Sequence, residues 1–139
     1  NDDVGKLALQ KSPLSREDTM FALMQIDARQ RLKDKLPTIL EKQEFVFPSR
    51  ISTEQASSEV TAKLKATILD GIDNIRNSAD LTGGLGIDTI FMARRSQKHH
   101  YVEINPEHAK AAENNLPLYL DNVIVHNTDA ESCQRNYCQ

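Results

Sequence analysis

The stretch DLTGGLGIDTIFMARRSQKHHYVEINPEHAKAAENNLPLYLDNVIVHNTDA, residues 80–130, decides how this chain is built. Short apolar segments at Ala79–Leu81, Tyr101–Glu103 and Val123–Val125 alternate with helical patterns at Ile87–Arg94 and Pro106–Leu120. That order is β-α-β-α-β, the pattern of a parallel sheet with crossover helices. Asn105 is placed to cap the second helix, Pro106 suits its first position, and Ala109, Ala112, Leu116 and Leu120 form its buried stripe.

Upstream the period changes to that of helices. Ser15 precedes the acidic turn Arg16-Glu17-Asp18, and Met20, Leu23, Met24, Ala28 and Leu32 recur at helical steps until Pro37 stops them. This predicts an amphipathic helix of about five turns. A linker with Phe45, Phe47 and Pro48 leads to Ser52, which with Gln55 forms a capping-box pattern. The helix expected after it presents Val60, Leu64 and Ile68 as its apolar face and ends near Gly71. The domain reading is a helical region over residues 1–50 and an α/β unit over 51–139.

Composition narrows the function classes. A chain of 139 residues with 39% hydrophobic and 27% charged residues is an ordinary globular one, with no run long enough for a membrane span and no secretory leader pattern. A cytoplasmic location is expected. The net charge of −3 gives no global attraction to polyanions. Arg94, Arg95, Lys98, His99 and His100 cluster, but at a helix end that favours positive charge anyway. Arg29, Arg31, Lys33 and Lys35 are the better candidates for phosphate contact. Cys133 and Cys138 lack the further ligands of a zinc site and read as reduced thiols.

Three loops carry chemistry. DLTGGLG, residues 80–86, joins strand to helix with small residues that let a ligand approach the backbone. Glu103 closes the second strand, where a carboxylate can accept from both hydroxyls of a ribose. HNTDA, residues 126–130, leaves the third strand, and its Asp129 can accept from an exocyclic amine such as adenine N6, with Asn127 or Ala130 offering backbone groups. All three follow strands of one parallel sheet and so emerge at one edge, where a single nucleoside could touch them.

In this order the three motifs resemble the first part of class I S-adenosylmethionine (SAM) dependent methyltransferases, over about 50 residues. The resemblance implies a Rossmann-like sheet, here incomplete. It puts Asp80, Gly84 and Gly86 on the methionine and ribose side of SAM, Glu103 on the ribose hydroxyls and Asp129 on adenine, with Thr82, Gly83, Asn105 and Ala130 completing the cofactor set. Thr82 departs from the glycine frequent at its position, as in RNA-modifying members. QIDARQRLKDKLP, residues 25–37, and EQASSEVTAKLKATIL, residues 54–69, resemble the leader of a bacterial group of RNA methyltransferases with a THUMP-like domain at the far end. There a helix packs over the cofactor pocket, which makes Gln55, Ser57, Ser58, Glu59 and Thr61 candidate lid residues.

The expected activity is therefore SAM-dependent methylation of RNA, with RNA held largely by parts outside these residues. ESCQRNYCQ, residues 131–139, holds no catalytic Asp or Asn followed by prolines, so the chain reads as an inactive piece of a longer enzyme whose first strand has an unpaired edge open to self-association. Two other readings stand beside this one. An NAD- or FAD-binding domain also ends its second strand in an acid, but expects a third glycine where Thr89 stands. A non-catalytic helical interaction module would keep the α/β half only as scaffold.

Overall fold

Ser15 starts the first long helix as its sequence predicts. In the computed structural model, which describes residues 3–11 and 13–137, its Oγ accepts from Asp18 N at 3.0 Å. A short helix α1 (Val4–Ala8) precedes the long α2 (Arg16–Leu32), which buries Ala28 and Leu32. A single turn of 3-10 helix at Ile39–Glu41 follows, then α3 (Arg50–Gln55) and α4 (Glu59–Ile68). The α/β part runs β1 (Asn77–Asp80), α5 (Ile87–Met92), β2 (Lys98–Val102), α6 (Pro106–Asn115), β3 (Val123–His126) and α7 (Ala130–Tyr137). Cys138 lies outside the described residues, and Cys133 is buried. No helix among the described residues is long and apolar enough to cross a membrane.

The three strands form a parallel sheet in the order β1-β2-β3, with Ser78 opposite His99 and Tyr101 opposite Val125. Since side chains alternate along a strand, His99 and Tyr101 share one face. Tyr101 lies in one apolar cluster with Leu85, Ile87 and Ile90 and with Leu116 just after α6. That cluster continues without a break through Phe45, Phe47, Ile39, Leu36, Leu32 and Ala28, so the leading helices and the sheet share a core. Asn105 caps α6 by accepting from Glu107 N at 2.9 Å, and Ala109, Ala112 and Leu116 are buried as their spacing demands.

Two expectations about the middle helix fail. It is two helices, not one: Ser49 caps α3, Ser58 caps α4, and Ser52 sits inside α3 with its hydroxyl on Ser49 O. The extended backbone at Ala56 separates them. Nor does the Val60, Leu64 and Ile68 stripe face the core, for these residues are 78%, 67% and 73% exposed. α4 turns Glu59, Ala62 and Ala66 inward instead. Two alanines one turn apart let its backbone lie close to the neighbouring elements, a spacing that larger side chains would prevent.

Side-chain amides tie the leading segment down. Gln25 accepts from Phe47 N at 2.9 Å and donates to Phe47 O at 2.7 Å. Asn115 does the same to Val46, at 2.8 and 2.7 Å. Glu59 accepts from the amides of Thr38 and Ile39 and from the Thr38 hydroxyl. Burial alone would raise the Glu59 carboxyl, but these hydrogen bonds outweigh it and hold it below the usual range.

Part of each basic cluster is already engaged within the chain. Arg29 donates to Gln43 O and Phe45 O, and Arg31 pairs with Asp27. In the second cluster Arg95 pairs with Asp70, while His99 is buried against Ser78 and pushed down to about 4 by that burial, hence uncharged at neutral pH.

Candidate functional site

The loop after β1 is shaped by what it must pass. Gly83 lies flat on the buried Tyr101 ring: a Cβ there would stand 2.1 Å from Cε2. Gly83 N donates to Val102 O, and Tyr101 Oη donates to Gly84 O at 2.6 Å. Gly86, with φ of +80°, turns the chain into α5 in a conformation that side chains with a Cβ rarely adopt. The loop is thereby laid across the end of β2, next to Glu103.

Glu103 bridges two backbones. Its Oε2 accepts from Gly84 N at 2.9 Å and its Oε1 from Asn105 N at 2.8 Å, which leaves further lone pairs on each oxygen. Asn127, from the loop after β3, donates to Glu103 O and Ile104 O and so fixes the turn that carries the carboxylate.

Beside this bridge opens a cavity of about 420 Å³. Thr82, Gly83, Gly84, Gly86, Glu103 and Asn105 of the expected cofactor set line it. Its opposite wall comes from the end of α3 and the strap that follows, through Ser52, Gln55, Ala56 and Ser57. The strap is held by charge: Asp88 Oδ2 accepts from Lys65 Nζ at 2.7 Å and from Ser57 Oγ at 3.0 Å. His108 completes the wall, its Nε2 at 3.1 Å from Ser49 Oγ.

Three nominated residues stand apart from the lining. Asp80 is turned into the loop, its oxygens accepting from Thr82 N at 3.1 Å and Thr89 Oγ1 at 2.9 Å. Burial pushes its carboxyl up, and the negative charge of Asp88 adds to the effect. Asp129 accepts from Ser132 N and Ser132 Oγ, as the cap of α7, and Ala130 is the first residue of that helix. Of the candidate lid residues, Gln55 and Ser57 reach the cavity. Ser58 and Thr61 bond each other at the start of α4, and Glu59 is committed to Thr38 and Ile39.

Asp88, His108 and Ser52 are what reading the sequence misses. Asp88 and His108 fall in the first turns of helices, where polar residues are unremarkable. Ser52 reaches the site because the middle helix breaks at Ala56.

No family model and no curated protein matches the chain. It is similar to a solved structure described as a "putative methyltransferase" from Porphyromonas gingivalis W83, with 32% of residues identical and a TM-score of 0.83. The alignment covers 97% of this chain and 34% of that one. The fold is methyltransferase-like. The chain spans about a third of that relative's length, and within the methyltransferase-like fold the cavity lies at the carboxyl ends of the strands, between the glycine loop and the strap.

Proposed function

We propose that this chain forms the SAM site of a class I methyltransferase whose acceptor is RNA. One observation carries the cofactor reading: Glu103 is held between Gly84 N and Asn105 N on the wall of the cavity, with lone pairs left to accept from two ribose hydroxyls. About 420 Å³ lies within the usual range of small-molecule sites. Thr82, Gly83, Gly84 and Gly86 border the ribose and thioether side. The adenine end extends toward the loop after β3, where Asp129 and Ala130 remain the candidates for its ring edge.

SAM supplies an electrophilic methyl group on a sulfonium, and the protein's part is to hold it in line with an acceptor. Asn105 and Asn127 keep the loop around Glu103 in place, and Gln55, Ala56 and Ser57 wall the cavity on its other side. Against a dinucleotide stands Thr89, at the place of a third glycine, fully buried with its hydroxyl on Asp80. Calorimetry on the full-length protein with SAM, S-adenosylhomocysteine and NAD tests the reading. Heat with the first two is expected, and heat with NAD alone would reject it.

The RNA acceptor rests on the resemblance of residues 25–37 and 54–69 to an RNA-methylating group. A net charge of −3, with Arg29, Arg31 and Arg95 already engaged, leaves phosphate recognition to other parts of the protein. Labelled SAM offered with total RNA and with a metabolite extract should label RNA. Label confined to small molecules would overturn the assignment. The 139-residue chain by itself should self-associate, since β1 is an edge strand among the described residues and the bare face of α4 is apolar.

A further inference from the structure

The sheet has a second open margin, at β3. Along a strand the backbone N–H and C=O of one residue point to one side and those of the next residue to the other. Asn122 O and His126 O accept from His99 N and Glu103 N beside β2, so Val123 and Val125 turn their backbone groups outward. No strand pairs with that side among the described residues. Next to it, between β3 and the end of α6, lies a groove of about 460 Å³ walled in part by Leu116, Leu120, Val123 and Val125. It shares no lining residue with the cavity at Glu103. Glu113 and Asp121 stand on its rim, exposed, and neither forms an ion pair among the described residues. No basic side chain lines the groove among those residues.

Outward amides and carbonyls ask for main chain, which a helix has already satisfied within itself and an extended segment has not. Like charge turns nucleic acid away from this rim, and two copies of the chain paired through β3 would bring their own acids together. We infer that the β3 margin is a docking site for an extended basic segment of a partner protein. The segment adds to the sheet as a further strand, sets an apolar side chain in the groove and pairs Lys or Arg with Glu113 and Asp121. Residues two apart share a face of a strand, so the basic side chains lie two positions to either side of the apolar one. Docking there does not depend on what the cavity binds.

The test titrates the full-length protein with the blocked peptide Thr-Lys-Thr-Val-Thr-Lys-Thr and with its counterpart bearing glutamate in place of lysine, and follows amide exchange. The lysine peptide should bind and slow exchange at Val123 and Val125, with the glutamate peptide at least about tenfold weaker. Methylating the backbone nitrogens of the lysine peptide that face β3 should cost about tenfold or more, since main-chain hydrogen bonds are lost while the protein is untouched. Glu113→Lys combined with Asp121→Lys, both at exposed positions, should reverse the preference between the peptides and leave the melting temperature unchanged. Equal binding of the two peptides, no loss on methylation, or no binding of the lysine peptide up to about 1 mM would each overturn the assignment. So would slow exchange at Val123 and Val125 in the free protein, because another part of the full-length chain would then occupy the margin.

Discussion

The ends of β1 and β2 each carry a carboxylate into the same loop, yet the two are employed differently. Asp80 accepts from one backbone amide and one hydroxyl, that of Thr89. Glu103 accepts from two backbone amides, Gly84 N and Asn105 N. A hydroxyl can turn and become an acceptor, whereas a backbone N–H can only donate. An amide side chain could therefore replace Asp80 and keep both contacts, but at Glu103 it would face one donor with another. The lesson is that two carboxylates at neighbouring strand ends can be held by different donors and stand differently to the cavity. Each oxygen of both carboxylates takes one hydrogen bond, and the difference lies in the donors and in which of the two carboxylates lines the cavity.

The largest effect should come from destroying the loop that both carboxylates serve. Gly83→Ala drives a methyl group into the Tyr101 ring, and since Tyr101 is buried and bonded to Gly84 O it has no room to yield. A loss of about 3 kcal/mol is expected, seen as a fall in melting temperature on the order of 10 °C together with loss of SAM binding. A variant with the wild-type melting temperature would show that the loop is not held by Tyr101.

Next comes Glu103 itself. Glu103→Gln should lower SAM affinity by about 1.5 to 3 kcal/mol, roughly ten- to a hundredfold, while Glu107→Ala, on the exposed side of the first turn of α6, leaves it unchanged. Equal losses in the two variants would remove the ribose assignment.

A smaller effect is expected at Asp129, which resembles Asp80 in taking one backbone amide and one hydroxyl, both from Ser132. Asp129→Ala should shorten or fray α7, detectable by circular dichroism, and Asp129→Asn should restore it, since Asn caps nearly as well. A fall in SAM affinity in Asp129→Ala would support the adenine role proposed above, and unchanged affinity in both variants would leave Asp129 only the cap of α7.

Asp80→Asn should give the smallest change, and its sign should depend on pH. The folded carboxyl of Asp80 is raised, so its contribution is most favourable below the ordinary aspartate range and is lost as pH rises through the folded value. Asparagine does not titrate, so the variant should gain on wild type between pH 4 and pH 7. Urea midpoints of both proteins at these two pH values check it, and a variant that loses ground over this window would show that the carboxylate is needed charged.

Much of this was legible in advance where a local rule had no competitor. Ser15 and Asn105 cap helices because nothing else claims their side chains, and the alternation of apolar runs gave the three parallel strands. The break in the middle helix is hidden in the sequence, because three serines can each start a helix and nothing in the sequence shows that Ala56 is extended. The stripe of Val60, Leu64 and Ile68 obeyed the helical period perfectly, but two alanines on the other side pack more closely. The site was half legible: Glu103 and the glycines announce themselves by motif. Asp88 and Lys65 meet across 23 positions of sequence, and only the folded chain brings them together.

The two amide clamps on Val46 and Phe47 have a counterpart in solvent exchange. This segment belongs to no strand or helix, yet Val46 N and Phe47 N are each bonded to a side-chain oxygen supplied by α6 and α2 respectively. Their hydrogens can be replaced by deuterium only when those helices lift away. To an exchange measurement the coil over residues 45–47 would look like a strand, and its rate would report how often the leading helices part from the sheet.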